Sequence, residues 1–134
     1  AVLMPIVASM GGNAGTQAMT IYVRAIATKD LVGSRYINLI IKEFLIGSIN
    51  GFLLSIIMGL IAYFWFNNLM LAFAVGVSIL INLGFACLFG ILIPITMNKL
   101  KIDPALASGI ILTTFTDVFG FLSFLSIATY IIKF

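Results

Sequence analysis

One carboxylate lies deep inside an apolar part of the chain, within the segment LTTFTDVFGF at residues 112–121. Thr113 and Thr114 precede Asp117 by four and three residues, so their oxygens share one helix face with the carboxylate. If a membrane span starts at residue 105, Asp117 lies roughly 18 Å along it, near the bilayer midplane. An isolated carboxylate there costs at least about 2.5–3.5 kcal/mol and requires water, a bound cation or protonation. The pattern favours an ion or proton site; the alternative is a protonated aspartate that joins neighbouring helices.

A second polar group of residues interrupts the apolar N-terminal part of the chain, in the segment GGNAGTQ at residues 11–17. Asn13 and Gln17 share a helix face, and Thr16 and Thr20 lie close to that face. The glycines leave no side chains, so backbone carbonyls can reach water or a hydrated ion, as happens where membrane helices line a wet cavity. The alternative is a tight helix crossing with amides hydrogen-bonded across it. We interpret the segment as a polar wall that faces the carboxylate described above.

Asp103 heads the helix that carries this carboxylate, in the segment IDPAL at residues 102–106. An aspartate at the N-cap followed by proline at the first helical position is a common helix start. Capping therefore accounts for Asp103 by itself. The alternative is a carboxylate at the inner mouth of the path that passes the midplane aspartate.

The composition is that of a membrane protein. Of 134 residues, 63% are hydrophobic and 8% are charged, whereas a soluble domain carries roughly 25% charged residues. No charged residue occurs between Phe44 and Asn98, and about 18 uncharged apolar residues are enough to indicate a spanning helix. We therefore expect an integral membrane protein in contact with the lipid bilayer.

The residue types also exclude several functions. The chain has no histidine and a single cysteine, Cys87, in an apolar segment, so a metal bound by one chain is a hard cation held by oxygen. No nucleophile and base fall on one wall, and we do not expect an enzyme. The net charge of +3 comes from basic residues that bracket the apolar segments, and we expect no nucleic-acid partner.

Four apolar segments predict an all-α fold, a polytopic bundle of transmembrane helices in one domain covering residues 1–134. The predicted spans are 2–22, 44–66, 69–97 and 105–132, with a tight turn at Asn67-Asn68 and a polar linker at residues 25–43. The linker and the loop at 98–104 carry the basic residues on one side, which the positive-inside rule makes cytoplasmic. The N-terminus then faces outward, so we expect a further span upstream. Gly47 and Gly51, four residues apart, predict close helix packing.

Two motifs in this order resemble one known family. The pattern P-x5-GGNAGTQ-A-x-T-x3-R at residues 5–24 and the pattern DPALASG-x-x-LTTFTD at residues 103–117 resemble the MgtE magnesium channels and transporters. The resemblance covers the second to fifth membrane helices of that family and implies a place in the bacterial plasma (inner) membrane. It implies a homodimer with five membrane helices per subunit and a cation pore on the two-fold axis, lined by the second and fifth helices.

The resemblance also implies roles for individual residues. Asp117 would bind hydrated Mg²⁺, and Asp103 would lie near the cytoplasmic mouth. The pore-wall groups carried over from the family are Gly12, Asn13 and Gly15. Ile110 stands where the family often has proline, so we expect a straighter last helix.

Magnesium gives up its water reluctantly and binds through one or two carboxylates. Asp117 from two subunits, with Thr113, Thr114, Asn13 and backbone carbonyls, fits that requirement. We therefore expect a channel or transporter that conducts hydrated Mg²⁺ down its electrochemical gradient, with Mn²⁺, Co²⁺ and Ca²⁺ as other divalent candidates and no organic cofactor. The alternatives are a proton- or sodium-coupled carrier that uses Asp117, and a non-conducting membrane interaction module.

Overall fold

Four long α-helices make up the fold in the computed structural model, which describes residues 2–29 and 35–132. The helices are α1 Met4–Ala27, α2 Arg35–Phe66, α3 Leu69–Lys99 and α4 Pro104–Ile132. The predicted all-α class is confirmed. The part of the predicted linker at residues 30–34 lies outside the described residues.

Helix ends follow local signals in the sequence. Asn68 caps α3, because its side-chain oxygen accepts a hydrogen bond from the Leu71 backbone N–H at 3.1 Å. Asn67 has a left-handed φ of 48°, a conformation that asparagine tolerates in tight turns. Asp103 caps α4 by accepting a hydrogen bond from the Ala105 backbone N–H at 2.9 Å, as N-cap aspartates do. The two short connections therefore form where the residue types predict them.

α3 is the central helix and packs against all three others. Its buried residues occur on several sides of the helix and include Ile79, Asn82 and Leu83. α2 packs chiefly against α3, whereas α1 and α4 each pack against α3 and against each other. The bundle therefore brings α1 and α4, the helices that carry the two polar motifs, side by side.

Small residues allow α2 to lie close to α3. A Cβ atom at Gly47 would lie 2.8 Å from the Cβ of Cys87, and one at Gly51 would lie 3.3 Å from the Cβ of Leu83. Glycine at four-residue spacing permits such close approach between helices in a membrane. The predicted packing role of these two glycines is confirmed.

Two aromatic pairs fix the rotation of α4 on α3. The ring centroids of Phe85 and Phe119 are 4.5 Å apart, and those of Phe89 and Phe115 are 5.4 Å apart, which is the range of favourable ring contacts. The inner side of α4 is buried at every fourth position: Ser108, Leu112, Thr116, Gly120, Phe124 and Ala128. Asp117 follows one of these positions, so it is turned out of the core and is exposed.

Three helices, α2, α3 and α4, are long and apolar enough to cross a membrane. α1 has 24 residues, which is a sufficient length, but its glycines, amides and threonines make it less apolar. α2 begins at Arg35, ahead of the predicted span at 44–66. Within the described part of the predicted linker at 25–43, residues 25–27 and 35–43 are helical, because charged residues limit an apolar span without ending a helix.

Successive helices alternate in direction. Contacts of α1 with α4 run from Ala8–Gly120 to Gly15–Leu112, which is an antiparallel order, and the aromatic pairs give the same order for α3 and α4. The end of α1 and the start of α2 consequently lie at the same end of the bundle as the loop between α3 and α4. The Asn67-Asn68 turn lies at the other end.

We predict that the end with the basic connections is cytoplasmic. A membrane-impermeant thiol reagent added outside cells should label an Asn68→Cys variant and should not label a Lys99→Cys variant. The native thiol of Cys87 is buried, so it gives a low background in both. Labelling of the Lys99→Cys variant alone would reverse the orientation.

Candidate functional site

A pocket of about 400 Å³, lined by both polar and apolar residues, lies between α1 and α4. We call it the α1–α4 pocket. Its lining residues are Pro5, Ala8, Ser9, Gly12, Asn13 and Thr16 from α1, with Thr113, Asp117 and Phe121 from α4. Asp117, the sole carboxylate of the lining, lies near the middle of α4. The two polar motifs of the sequence therefore meet in space, as the sequence analysis expected.

The sequence of α1 separates polar residues from small ones. Ser9, Asn13 and Thr16 recur at spacings of four and three residues and are exposed. The buried side consists of Val7, Ala8, Gly11, Gly15, Ala18 and Tyr22. Because residues three and four apart lie on the same helix face, α1 turns small residues to the bundle and polar ones to the pocket.

The threonines of the pocket present acceptors to its interior. The hydroxyl of Thr16 donates its proton to the Gly12 carbonyl at 2.7 Å, and the hydroxyl of Thr113 lies 3.1 Å from the carbonyls of Gly109 and Ile110. A hydroxyl has one proton and two lone pairs, so a proton given to the helix leaves only lone pairs for the pocket. An ionised Asp117 is likewise an acceptor only.

These hydrogen-bond acceptors suit a hydrated cation. Water bound to a cation turns its hydrogens outward, and these hydrogens need acceptors. Within residues 2–29 and 35–132, no three His, Cys, Asp or Glu side chains come together as a metal cage. Mg²⁺ has octahedral coordination and usually keeps several of its waters. Even a complete shell of six waters occupies about 180 Å³, at roughly 30 Å³ each. A pocket of about 400 Å³ has room for them.

The glycines of α1 divide between two roles. Gly12 lines the pocket. Gly15 is buried, and a Cβ atom there would lie 3.0 Å from the backbone oxygen of Ala86 in α3. A Cβ atom at Gly90 would lie 2.5 Å from the backbone oxygen of Gly15. Gly15 therefore belongs to a tight crossing of α1 and α3, whereas Gly12 and Asn13 belong to the polar wall of the pocket.

Two further residues singled out by the sequence lie apart from the pocket. Thr114 is exposed, and its hydroxyl donates to the Ile110 carbonyl at 2.8 Å, but it does not line the pocket. Asp103 is the N-cap of α4, about 21 Å along the helix from Asp117 at 1.5 Å per residue. The structure therefore brings Asp117 together with Thr113, Asn13 and Gly12, and not with Thr114, Gly15 or Asp103.

Four lining residues were missed in the sequence: Pro5, Ala8, Ser9 and Phe121. Ser9 precedes Asn13 by four residues, and this spacing could have identified it as part of the same polar face. The other three carry no chemical signal in the sequence. Their contribution depends on which side of each helix faces the neighbouring helix.

Comparison with known proteins identifies similar sequences over almost the whole chain. The family model MgtE, described as a divalent cation transporter, matches residues 4–127. The chain is 34% identical over 129 residues to the magnesium transporter MgtE of Bacillus subtilis, covering 96% of this chain and 29% of the relative. It is 36% identical over 134 residues to that of Enterococcus faecalis, covering 100% and 30%. It is 35% identical over 130 residues to that of Thermus thermophilus, covering 97% and 29%. The chain thus spans less than a third of the length of these relatives.

The two glycine roles predict different costs of adding one methyl group. Gly90→Ala should lower the free energy of unfolding by about 1–3 kcal/mol, because the new Cβ must displace the α1 backbone. Gly12→Ala is the matched control, since its Cβ would lie 3.6 Å from the Thr116 hydroxyl, an ordinary contact. Both substitutions gain the same helix propensity. Thermal unfolding in detergent should rank Gly90→Ala well below Gly12→Ala, and equal melting temperatures would contradict the assignment.

Proposed function

The chain belongs to the MgtE family of divalent cation transporters, and from this membership we propose that it conducts hydrated Mg²⁺ along the α1–α4 pocket. The observation that carries the proposal is Asp117, exposed near the middle of an apolar helix in a pocket that Asn13, Thr16 and Thr113 also line. Such a carboxylate requires water or a cation at membrane depth. A hydrated divalent cation supplies both.

The pore forms between two copies of the chain. The face that holds Ser9, Asn13, Thr16 and Asp117 is exposed and too polar to lie against lipid. A second copy related by a two-fold axis would cover this face with the same face, as isologous dimers do. Two pockets then join into one water-filled path that carries two Asp117 carboxylates.

Selectivity for divalent ions follows from this pair of charges. A divalent ion between two nearby carboxylates is attracted by both of them, and twice as strongly as a monovalent ion at the same distance. Thr16 and Thr113 accept hydrogen bonds from the water shell, so the ion need not lose its waters. In this proposal the ion moves down its electrochemical gradient.

Replacing the charge while keeping the shape tests the site. Asp117→Asn removes one charge per subunit and should reduce the permeability ratio of Mg²⁺ to K⁺ by about tenfold or more. A tenfold change corresponds to ~1.4 kcal/mol, a small part of the attraction between a divalent ion and a carboxylate in a protein. The measurement is the reversal potential in liposomes under a magnesium–potassium gradient. An unchanged reversal potential would refute the site.

Asp103→Asn is the matched control for this measurement. Asparagine caps helices as well as aspartate does, so α4 should start at the same residue. A charge at the exposed mouth is screened over about 8–10 Å, and its removal should change selectivity much less than Asp117→Asn. A strict requirement for a proton or sodium gradient in the wild type would favour the coupled carrier instead.

The two-chain pore predicts a stable dimer. Light scattering of the purified protein in detergent should give twice the protein mass of one chain. A monomer that remains competent for transport after reconstitution would contradict the proposal, because one chain supplies one carboxylate in the pocket.

A further inference from the structure

Asn82 of α3 lies where α1, α3 and α4 meet, directly behind the α1–α4 pocket. Its side chain is fully buried, and its amide Nδ2 donates a hydrogen bond of 2.7 Å to the Val7 carbonyl of α1. The next residue of α1, Ala8, lines the pocket. Asn82 therefore makes a polar contact between the central helix and the pocket wall.

Two glycines make the space for this amide. A Cβ atom at Gly11 would lie 2.8 Å from the Cγ of Asn82, and one at Gly120 would lie 3.0 Å from its Nδ2. The Cβ at Gly120 would also lie 2.9 Å from the Cα of Ala8. Gly11 precedes Gly12 of the pocket, and Gly120 lies one turn from Thr116, the residue before Asp117. The amide thus touches both helices that line the pocket.

The other end of the amide has no such partner. Asn82 Oδ1 is buried and accepts no hydrogen bond within the described part of the chain. A buried carbonyl without a donor is costly, commonly by about 1–3 kcal/mol. An apolar side chain of the same shape would avoid that cost. The presence of an amide at this position therefore indicates a use for its bond to Val7 beyond packing.

We propose that Asn82 is a positioning residue for the cation path. Its hydrogen bond to Val7 holds α1 at a fixed height and distance from α4, and so holds Ser9, Gly12 and Asn13 opposite Asp117. The inference rests on the proposed function of the pocket. In this proposal α3, which contributes no residue to the pocket lining, controls the spacing between the acceptors that hold the water shell.

The test replaces the amide by an apolar group of similar shape. In Asn82→Leu, the half-saturating Mg²⁺ concentration for flux into liposomes should rise about fivefold, the factor expected for one net hydrogen bond. Ser78→Ala is the matched control: Ser78 lies one turn earlier on α3 and is equally buried. Among the described residues its hydroxyl donates to the Ala74 carbonyl of its own helix and makes no bond to α1 or α4. The half-saturating concentration of this variant should stay at the wild-type value.

A second measurement needs no transport. Hydrogen exchange of the α1 backbone amides should be about fivefold faster in Asn82→Leu, while exchange in α2 should match the wild type. Uniformly faster exchange in all helices would indicate loss of stability and would overturn the positioning role. Faster exchange confined to α1, with unchanged half-saturation, would also overturn it. If Asp117→Asn leaves selectivity unchanged in the same liposomes, the proposed function fails. The exchange result still tests whether Asn82 holds α1 in place.

A double variant keeps the inference testable if Asn82→Leu does not fold. In Gly11→Ala/Asn82→Ala, the new methyl at position 11 fills space that the amide occupied, so packing is partly kept and the hydrogen bond is lost. It should show the same fivefold increase in half-saturation and the same local increase in exchange of α1. Wild-type values for both quantities in this variant would refute the inference.

Discussion

A carboxylate in the middle of an apolar helix must meet water, and the arrangement of this bundle follows from that constraint. Asp117 follows Thr116, a residue of the buried side of α4. Its side chain therefore points out of the core, although it lies near the middle of the helix along its length. α1 lies beside it and supplies oxygen atoms instead of hydrocarbon. α2 packs chiefly against α3 and supplies no lining residue. The lining of the pocket thus comes from α1 and α4.

A helix as polar as α1 needs strong packing to stay in such a bundle. Its small buried residues bring its backbone close to α3, where Gly15 meets Ala86 and Gly90. Dispersion contacts and close backbone approach stabilise helix association where lipid competes for apolar surface. The same residues that weaken α1 as an isolated helix therefore secure it against α3. Asn82 adds a hydrogen bond at the level of the pocket.

Much of this arrangement could be predicted from the sequence, because apolar length, capping residues and polar spacing are local properties. Asp117, Asn13 and Gly12 were correctly expected to come together. The placement of Gly15 against α3 depends on the rotation of one helix against another, which spacing along α1 does not determine. Asn82 was overlooked for the same reason: one amide in an apolar run has no partner within its own segment. The sequence predicted where the apolar span begins, at residue 44, and not where the helix α2 begins, because charge marks the edge of an apolar span and not the end of a helix.

The central claim is that two Asp117 side chains hold one hydrated divalent ion on a two-fold axis. The most direct measurement is a structure of the protein in Mn²⁺, whose anomalous scattering identifies the ion that stands in for Mg²⁺. The account predicts an anomalous peak on the axis between the two Asp117 carboxylates, with a layer of water between ion and protein. An ion bound elsewhere, or a dimer axis that leaves the α1–α4 pocket facing lipid, would contradict the account.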